Sequence, residues 1–458
     1  MGIKQVKIDV NELTVGMFVS GLDRPWTQTP FPLQGFYLRD LEEIKQLKIH
    51  CNHVYIDVVK GSSPVKTRLK RLTTSTRNEK RASKDARVTN LAPLRIRRDI
   101  YTEVAPMERE IGRAKELHQQ VHRAVGAILD QIDVDHQQVP VKETKRAASS
   151  MVDSVLRSPD AFTWLTRVRD KDEHTYSHAV RSAVWAILFG RHIGLPKPEL
   201  DVLAMGVLLK DIGKTKLPRP LIENLDRDDT EQLAYEKFVS YGVDILRDMP
   251  DVKPRVTSVV KSHCERVNGS GFPSHLRGDK IPLLGKIAGI VTYYDETTNP
   301  RNQNPLSPSK AVSKLYESRG IEFQEELVVE FIRAIGLYPT GTIVELSSGE
   351  VAVVVEQNFE RRLKPKIMIV LDSVKQKLYR PITVDLAADE KERHQKLESG
   401  KYVSKEFETL EIVQDLQPGT YDIDISEIRD DYIDSKKDSG ILSFLKKAPF
   451  KIPGIPRA

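Results

Sequence analysis

The sequence predicts a multidomain protein: a mainly α-helical central domain between a small α+β domain at the N-terminus and a small β-rich domain at the C-terminus. Three observations carry this reading. A chain of 458 residues has room for roughly three domains. Apolar residues recur at three- and four-residue spacing through the middle of the chain, the period of helices packed on a core. On either side the pattern alternates or runs apolar over short stretches bounded by turn residues, as strands do. The predicted units are 1–59, a basic linker at 60–100, a helical region at 101–159, the main helical domain at 160–337, the β-rich domain at 338–417 and a charged tail at 418–458.

At the N-terminus, Val6, Ile8 and Val10 alternate, Leu41 to Leu47 has helical spacing, and Val54 to Asp57 reads as a closing strand. A loop with Pro25, Pro30 and Pro32 lies between. His50, Cys51 and His53 have no second ligand cluster nearby and read as surface residues, so the unit is expected to regulate or to make dimer contacts. Residues 60–100 carry Lys66, Arg68, Lys70, Arg71, Arg77, Lys80, Arg81, Lys84, Arg87, Arg95, Arg97 and Arg98 with few large apolar residues, the composition of a disordered connector. A long helix over 103–133 follows from Met107, Ile111, Ala114, Leu117, Val121, Ala124 and Ile128. Its nearly heptad stripe fits either a homodimer or the neighbouring helix of Ala147, Ala148, Met151, Val152 and Val155.

The centre holds the chemistry. An apolar helix (Leu200, Val202, Leu203, Met205, Val207, Leu208) ends at adjacent Lys210 and Asp211 and turns at Gly213. Charges delivered into an interior are costly unless they meet a partner, a metal or a ligand. His178 starts a core-facing helix, and the stripe of Val256, Val259 and Val260 continues to His263 and Cys264. Phe238, Tyr241, Ile245 and Leu246 are expected to share one face, as are Leu284, Ala288, Val291 and Asp295. Gly269-Ser-Gly-Phe-Pro273 is a turn-rich loop whose glycines permit close backbone approach to a ligand.

The order His178, Asp211-Ile-Gly-Lys214, His263-Cys-Glu-Arg266 and Gly269-Ser-Gly-Phe-Pro273 resembles the HD-GYP family, over about 160–335. Residues 5–58 resemble the small domain that precedes many of its members. The family belongs to the HD superfamily of metal-dependent phosphohydrolases and typically hydrolyses cyclic di-GMP, so the resemblance implies an HD-type helical domain and that dinucleotide as ligand. Several positions depart from it. Lys210 stands for the first member of the His-Asp pair, Phe238 for a histidine, Cys264 for the second of two histidines, Thr292 for a carboxylate and Phe272 for the signature tyrosine.

Two-metal hydrolysis needs metals about 3.5–4 Å apart with bridging ligands. A charged lysine has no lone pair to give. The surviving set of His178, Asp211, His263 and Cys264 is suited to at most one divalent ion, iron, manganese or zinc, or to none. The resemblance places Asp211 and Lys214 as catalytic-site residues, and Lys210, Arg266, Gly271, Phe272, Pro273 and Arg301 around the dinucleotide. It implies a cyclic di-GMP signalling protein with little or no hydrolysis; the alternative is an active phosphodiesterase with a reduced metal site. A partner such as a diguanylate cyclase would then read the bound state.

Beyond 338, Thr342 to Leu346, Val351 to Val355, Lys366 to Leu371 and Tyr379 to Val384 read as strands of a small sheet. The tail ends in a short apolar piece, Ile441 to Leu445, beside Lys446 and Lys447, at most a peripheral membrane contact. Formal net charge is +6, too modest to imply a specific nucleic acid partner. The two cysteines exclude a disulfide framework, and the expected location is the cytoplasm.

Overall fold

The structure is a computed structural model that describes residues 5–24, 36–38, 41–57, 88, 91–92, 94, 96–97, 99–132, 141–167, 174–249, 251–301, 303–358, 361–398 and 410–434. The proline loop, the whole basic stretch before 88 and the apolar piece Ile441 to Leu445 lie outside the described residues. The N-terminal domain is an antiparallel sheet of β1 (Gln5–Asp9), β2 (Phe18–Leu22), β3 (Phe36–Tyr37) and β4 (His53–Asp57), in the order β1-β4-β2-β3. Helix α1 (Leu41–His50) lays Ile44 and Leu47 on Ile8, Val54 and Ile56 of one sheet face. Cys51 corrects the surface expectation, being only 3% exposed. Its turn is closed by Asp23, which accepts from the Asn52 amide at 2.7 Å, so the thiol fills the end of this small core.

In the helical centre, α2 (Met107–Ile132) buries Ile111, Ala114, Leu117, Val121 and Val125 against α3 (Val141–Arg157) and α4 (Pro159–Arg167). The nearly heptad stripe is thus used within the chain, and Glu110 ties α2 to α3 by accepting from Ser154 Oγ at 2.7 Å and Arg157 Nε at 3.1 Å. Next come α5 (His174–His192), α6 (Lys197–Leu208), α7 (Arg219–Glu223), α8 (Asp229–Arg247), α9 (Pro254–Ser262), α10 (Leu283–Thr298), α11 (Pro308–Glu317) and α12 (Glu325–Ile335). Two glycines set the approach of these elements. A Cβ on Gly206 would lie 2.6 Å from Val259 Cβ, so α6 meets α9 at backbone distance. A Cβ on Gly213 would lie 1.9 Å from the Phe238 carbonyl oxygen, so the turn after α6 rests directly on α8. The inward stripe of α8 is Phe238, Val239, Gly242 and Leu246; Tyr241, expected on it, is 36% exposed on the flank.

The stretch expected to be a disordered linker differs at its C-terminal end. The Val88 amide donates to Gly320 O at 2.7 Å, Ala92 to Asp279 Oδ2 at 2.8 Å and Arg97 to Ile193 O at 3.0 Å. These described residues are laid along the helical domain by backbone hydrogen bonds, which charge patterning does not reveal. The N-terminal domain docks through Glu43, which accepts from Arg333 Nη1 of α12 at 2.5 Å, with the guanidinium over the Phe36 ring.

The C-terminal domain is an antiparallel sheet of β5 (Ile343–Leu346), β6 (Val351–Glu356), β7 (Lys366–Leu371), β8 (Lys377–Asp385) and β9 (Ile412–Asp415), ordered β8-β7-β6-β5-β9, with α13 (Leu386–Glu398) beside it. It joins the helical core: Trp164 Nε1 donates to Val355 O at 3.0 Å, and Asp415 accepts from the Ser309 amide at 2.7 Å at the start of α11. Residues 425–434, expected within the flexible tail, are helical and bury Ile428, Tyr432 and Ile433 in that same core. Among the described residues no helix is long and apolar enough to cross a membrane.

Two predictions follow from this packing. Gly213→Ala forces a methyl into the Phe238 carbonyl, and a loss of about 1–3 kcal/mol is expected, measured by thermal unfolding; an unchanged melting temperature would show that α8 is not seated on this turn. Asp160, buried at the junction with β6, accepts from Thr340 Oγ1 at 2.8 Å, and burial pushes its carboxyl up to about 6. A raised acid pKa stabilises the fold at low pH, and that contribution is lost as pH rises through 6. Asp160→Asn is therefore expected to raise the melting temperature at pH 8 and leave it nearly unchanged at pH 4, with equal shifts at both pH values refuting the assignment.

Candidate functional site

The site begins where α6 runs out. Leu209 closes the helix on Met205 O and Val207 O, and a tight turn over Ile212–Lys216 follows, with the Lys214 amide donating to Asp211 O at 2.9 Å. This turn holds Lys210, Asp211 and Lys214 in the crevice between α5, α8 and α10. Lys210 has no exposure at all. Its ammonium donates to His178 Nε2 at 2.8 Å and to Asp211 Oδ2. The other oxygen of Asp211 faces Lys214 Nζ at 2.7 Å. Burial alone would raise the Asp211 carboxyl, but the Lys210 and Lys214 ammonium groups hold it well below the usual carboxylate range.

The partners assign the state of His178. A lysine ammonium only donates, so Nε2 accepts and the imidazole is neutral with its proton on Nδ1. That proton goes to Asp295 Oδ2 at 2.5 Å. Asp295, fully buried on α10, also accepts from Arg181 Nε at 3.0 Å and Asn299 Nδ2 at 3.1 Å through Oδ1. Burial opposes its charge, yet Arg181 and His178 bring the carboxyl down to about 2. The chain of contacts from Arg181 to Lys214 is therefore continuous, with neutral His178 the one uncharged link.

His263 follows α9 and donates from Nδ1 to Val260 O at 2.8 Å, so Nε2 carries the lone pair; Cys264 Sγ lies 3.2 Å from it. Burial, then the Lys210 charge, pushes His263 down to about 3. Burial pushes the Cys264 thiol up to about 12, so it is a thiol rather than a ligating thiolate. Phe238 fills the floor, its ring 5.9 Å from the His263 ring and 6.1 Å from that of Phe272.

The Gly-Phe-Pro loop doubles back on its own chain. A Cβ on Gly271 would lie 2.3 Å from the Cys264 carbonyl, so this glycine serves an internal approach where sequence reading expected a ligand. Glu265 pins the loop, accepting from the Ser274 amide at 2.8 Å and the Leu276 amide at 2.9 Å. The Phe272–Pro273 peptide is cis and presents the half-buried Phe272 beside Phe238.

His178, Lys210, Asp211, Lys214, His263, Cys264 and Phe272 are thus brought together. The other two basic residues are not directed into the cluster. Arg266 donates to the His263 and Glu265 carbonyls and lies over the Phe323 ring. Arg301 lies past the end of α10, and its charge reaches Glu223 of α7. Lys210, expected to meet a ligand, instead supports the crevice from beneath. Three participants escaped sequence reading: Arg181, one turn after His178; Tyr235, one turn before Phe238; and Glu296, whose Oε1 lies 3.8 Å from His178 Nε2. Their spacing from recognised residues was the available signal.

The donor set does not fit a metal as it stands. The His178 lone pair accepts from Lys210, both Asp211 oxygens face ammonium groups, and Cys264 keeps its proton. A cation placed there would meet the Lys210 charge at close range. Among the described residues no group of three or more His, Cys, Asp or Glu side chains is arranged to hold an ion.

Comparison with known proteins matches all three folded parts. Residues 166–327 match the HD domain, residues 5–144 a domain of unknown function (DUF3391) and residues 343–392 a KOW domain associated with the HD domain. The chain is 28% identical over 381 residues to cyclic di-GMP phosphodiesterase PA4108 of Pseudomonas aeruginosa, covering 79% of this chain and 84% of that one. It is 29% identical over 167 residues to 3'3'-cGAMP-specific phosphodiesterase 2 of Vibrio cholerae, over 35% of this chain and 31% of that one. It is 24% identical over 193 residues to the cyclic di-GMP phosphodiesterase response regulator RpfG of Xanthomonas campestris, over 41% of this chain and 51% of that one. An HD domain thus stands at the centre of this chain between two flanking domains, and in this layout and in its relatives the chain is similar to the HD-GYP family.

Proposed function

We propose that this chain acts in cyclic di-GMP signalling by binding the dinucleotide, with little or no hydrolysis. The supporting observation is Lys210: a buried ammonium joins His178 Nε2 to Asp211, the two donors on which a catalytic metal would depend. In this reading Lys214 supplies positive charge to a phosphate, since it is a compact donor that keeps part of its surface in solvent. The Gly271-Phe272-Pro273 loop, pinned on Glu265, forms the opposite wall, with Arg266 and Arg301 on the periphery. The ligand is inferred from relatives whose names specify cyclic di-GMP. A bound or empty crevice would then be read by a signalling partner.

Those same names favour a second reading, an active phosphodiesterase, in which the surviving donors would hold one metal. It requires Lys210 to leave His178 and Asp211, exposing two buried acceptors before any ion is bound. The first reading needs no such rearrangement.

Two experiments separate them. Incubating the full chain with cyclic di-GMP and added manganese or iron is expected to yield no linear product above that of Asp211→Asn; robust turnover, lost in that variant, sinks the proposal. Metal analysis of Lys210→His combined with Phe238→His is expected to find about one ion per chain where the parent has none. If the double variant stays metal-free, the crevice has diverged in more than these side chains.

A further inference from the structure

Tyr235 lies half-buried on α8 and points at the same crevice. The Arg227 guanidinium is stacked on its ring, 3.7 Å from the centroid. That guanidinium is itself anchored at the end of α7, donating from Nε to Leu221 O at 3.0 Å and from Nη2 to Ile222 O at 3.3 Å. The Tyr235 ring also meets the Phe238 ring at 5.3 Å. A planar cation and a core aromatic thus both pack on the phenol ring, which fixes its direction before any ligand arrives.

Lys214 Nζ sits 5.7 Å from the Tyr235 centroid and 4.9 Å from that of Phe238. Burial raises the phenol above its ordinary value while Lys214 pulls the other way, so the group is a neutral hydroxyl beside an ammonium. An ammonium only donates, so the phenol oxygen turns its lone pair to Lys214 and its one proton elsewhere. The Asp211 oxygens face Lys210 and Lys214. The Phe272 and Phe238 phenyl rings offer no donor. A phosphodiester carries only acceptors at its non-bridging oxygens, and here a charged donor and a neutral donor stand side by side.

We propose that Tyr235 is a ligand-binding residue: its hydroxyl, together with the Lys214 ammonium, holds a non-bridging phosphate oxygen of the bound cyclic dinucleotide, and Arg227 locks the ring that presents it. This rests on the binding role proposed above and assigns residues that the family signature does not include. Tyr235→Phe removes the hydroxyl and leaves the ring, its stack on Arg227 and its contact with Phe238. Arg227→Leu leaves the hydroxyl and frees the ring.

Calorimetry on the full chain tests this with cyclic di-GMP and, separately, with sodium pyrophosphate. Tyr235→Phe is expected to bind cyclic di-GMP about tenfold more weakly, as for a lost hydrogen bond to a charged group, with its melting temperature unchanged. Arg227→Leu is expected to lose affinity by a smaller factor. Equal affinity of Tyr235→Phe and the parent overturns the assignment while the binding role stands. If the parent binds pyrophosphate but not cyclic di-GMP, the binding role falls and the Tyr235→Phe comparison against pyrophosphate decides the assignment. If the parent binds neither, both fall.

Discussion

A lysine with no solvent exposure, held between an imidazole and a carboxylate, is the constraint on which the rest of this structure depends. Removing an ammonium from water costs several kcal/mol unless its donors are satisfied. The crevice satisfies them through a chain of alternating charge, from Arg181 through Asp295 and neutral His178 to Lys210, Asp211 and Lys214. Each link sets the state of the next. Asp295 fixes the tautomer of His178, that tautomer offers Lys210 a lone pair, and Lys210 helps keep Asp211 ionised for Lys214.

The helices serve this cluster by getting close to one another. Gly206 and Gly213 bring α6 and the following turn within backbone distance of α9 and α8, which places two lysines and an aspartate in so narrow a space. Helix α10 is buried on nearly every side, yet carries Asp295 at full burial, because Arg181, His178 and Asn299 are there to receive it. Phe238 and Phe272 then occupy volume with rings that neither ligate nor donate. The result is a crevice with HD-domain helices, its internal positive charge supplied by side chains.

The flanking domains are bonded to this centre. Glu43 and Phe36 engage Arg333, which also reaches Glu330, and Glu330 accepts from His192 on the helix that begins beside His178. At the opposite junction Trp164, Asp160 and Asp415 tie the C-terminal sheet to α4 and α11. The described residues from 88 to 97 add backbone hydrogen bonds to the same helical domain. Through Arg333 and Glu330 the N-terminal domain thus reaches α5, the helix that carries His178.

The order of helices and strands was legible in the sequence, because apolar periodicity reports burial one element at a time. Part of the cluster was legible too: Lys210, Asp211 and His263 stand at the ends of apolar stripes, while the resemblance to a known family singled out His178 and Lys214. Periodicity cannot report which elements touch. Whether the stripe of α2 met its own copy or α3, whether Cys51 was inside, and where the described residues between 88 and 100 and residues 425–434 lay depended on contacts distant in sequence. Tyr235 and Arg181 stayed hidden for the same reason, since each belongs to the crevice only after α8 and α5 are turned against the Lys214 turn and α10. The sequence alone determined which residues must be buried and charged; only the tertiary structure decided that the Lys210 ammonium faces inward onto His178, because that choice is made by the geometry of its acceptors.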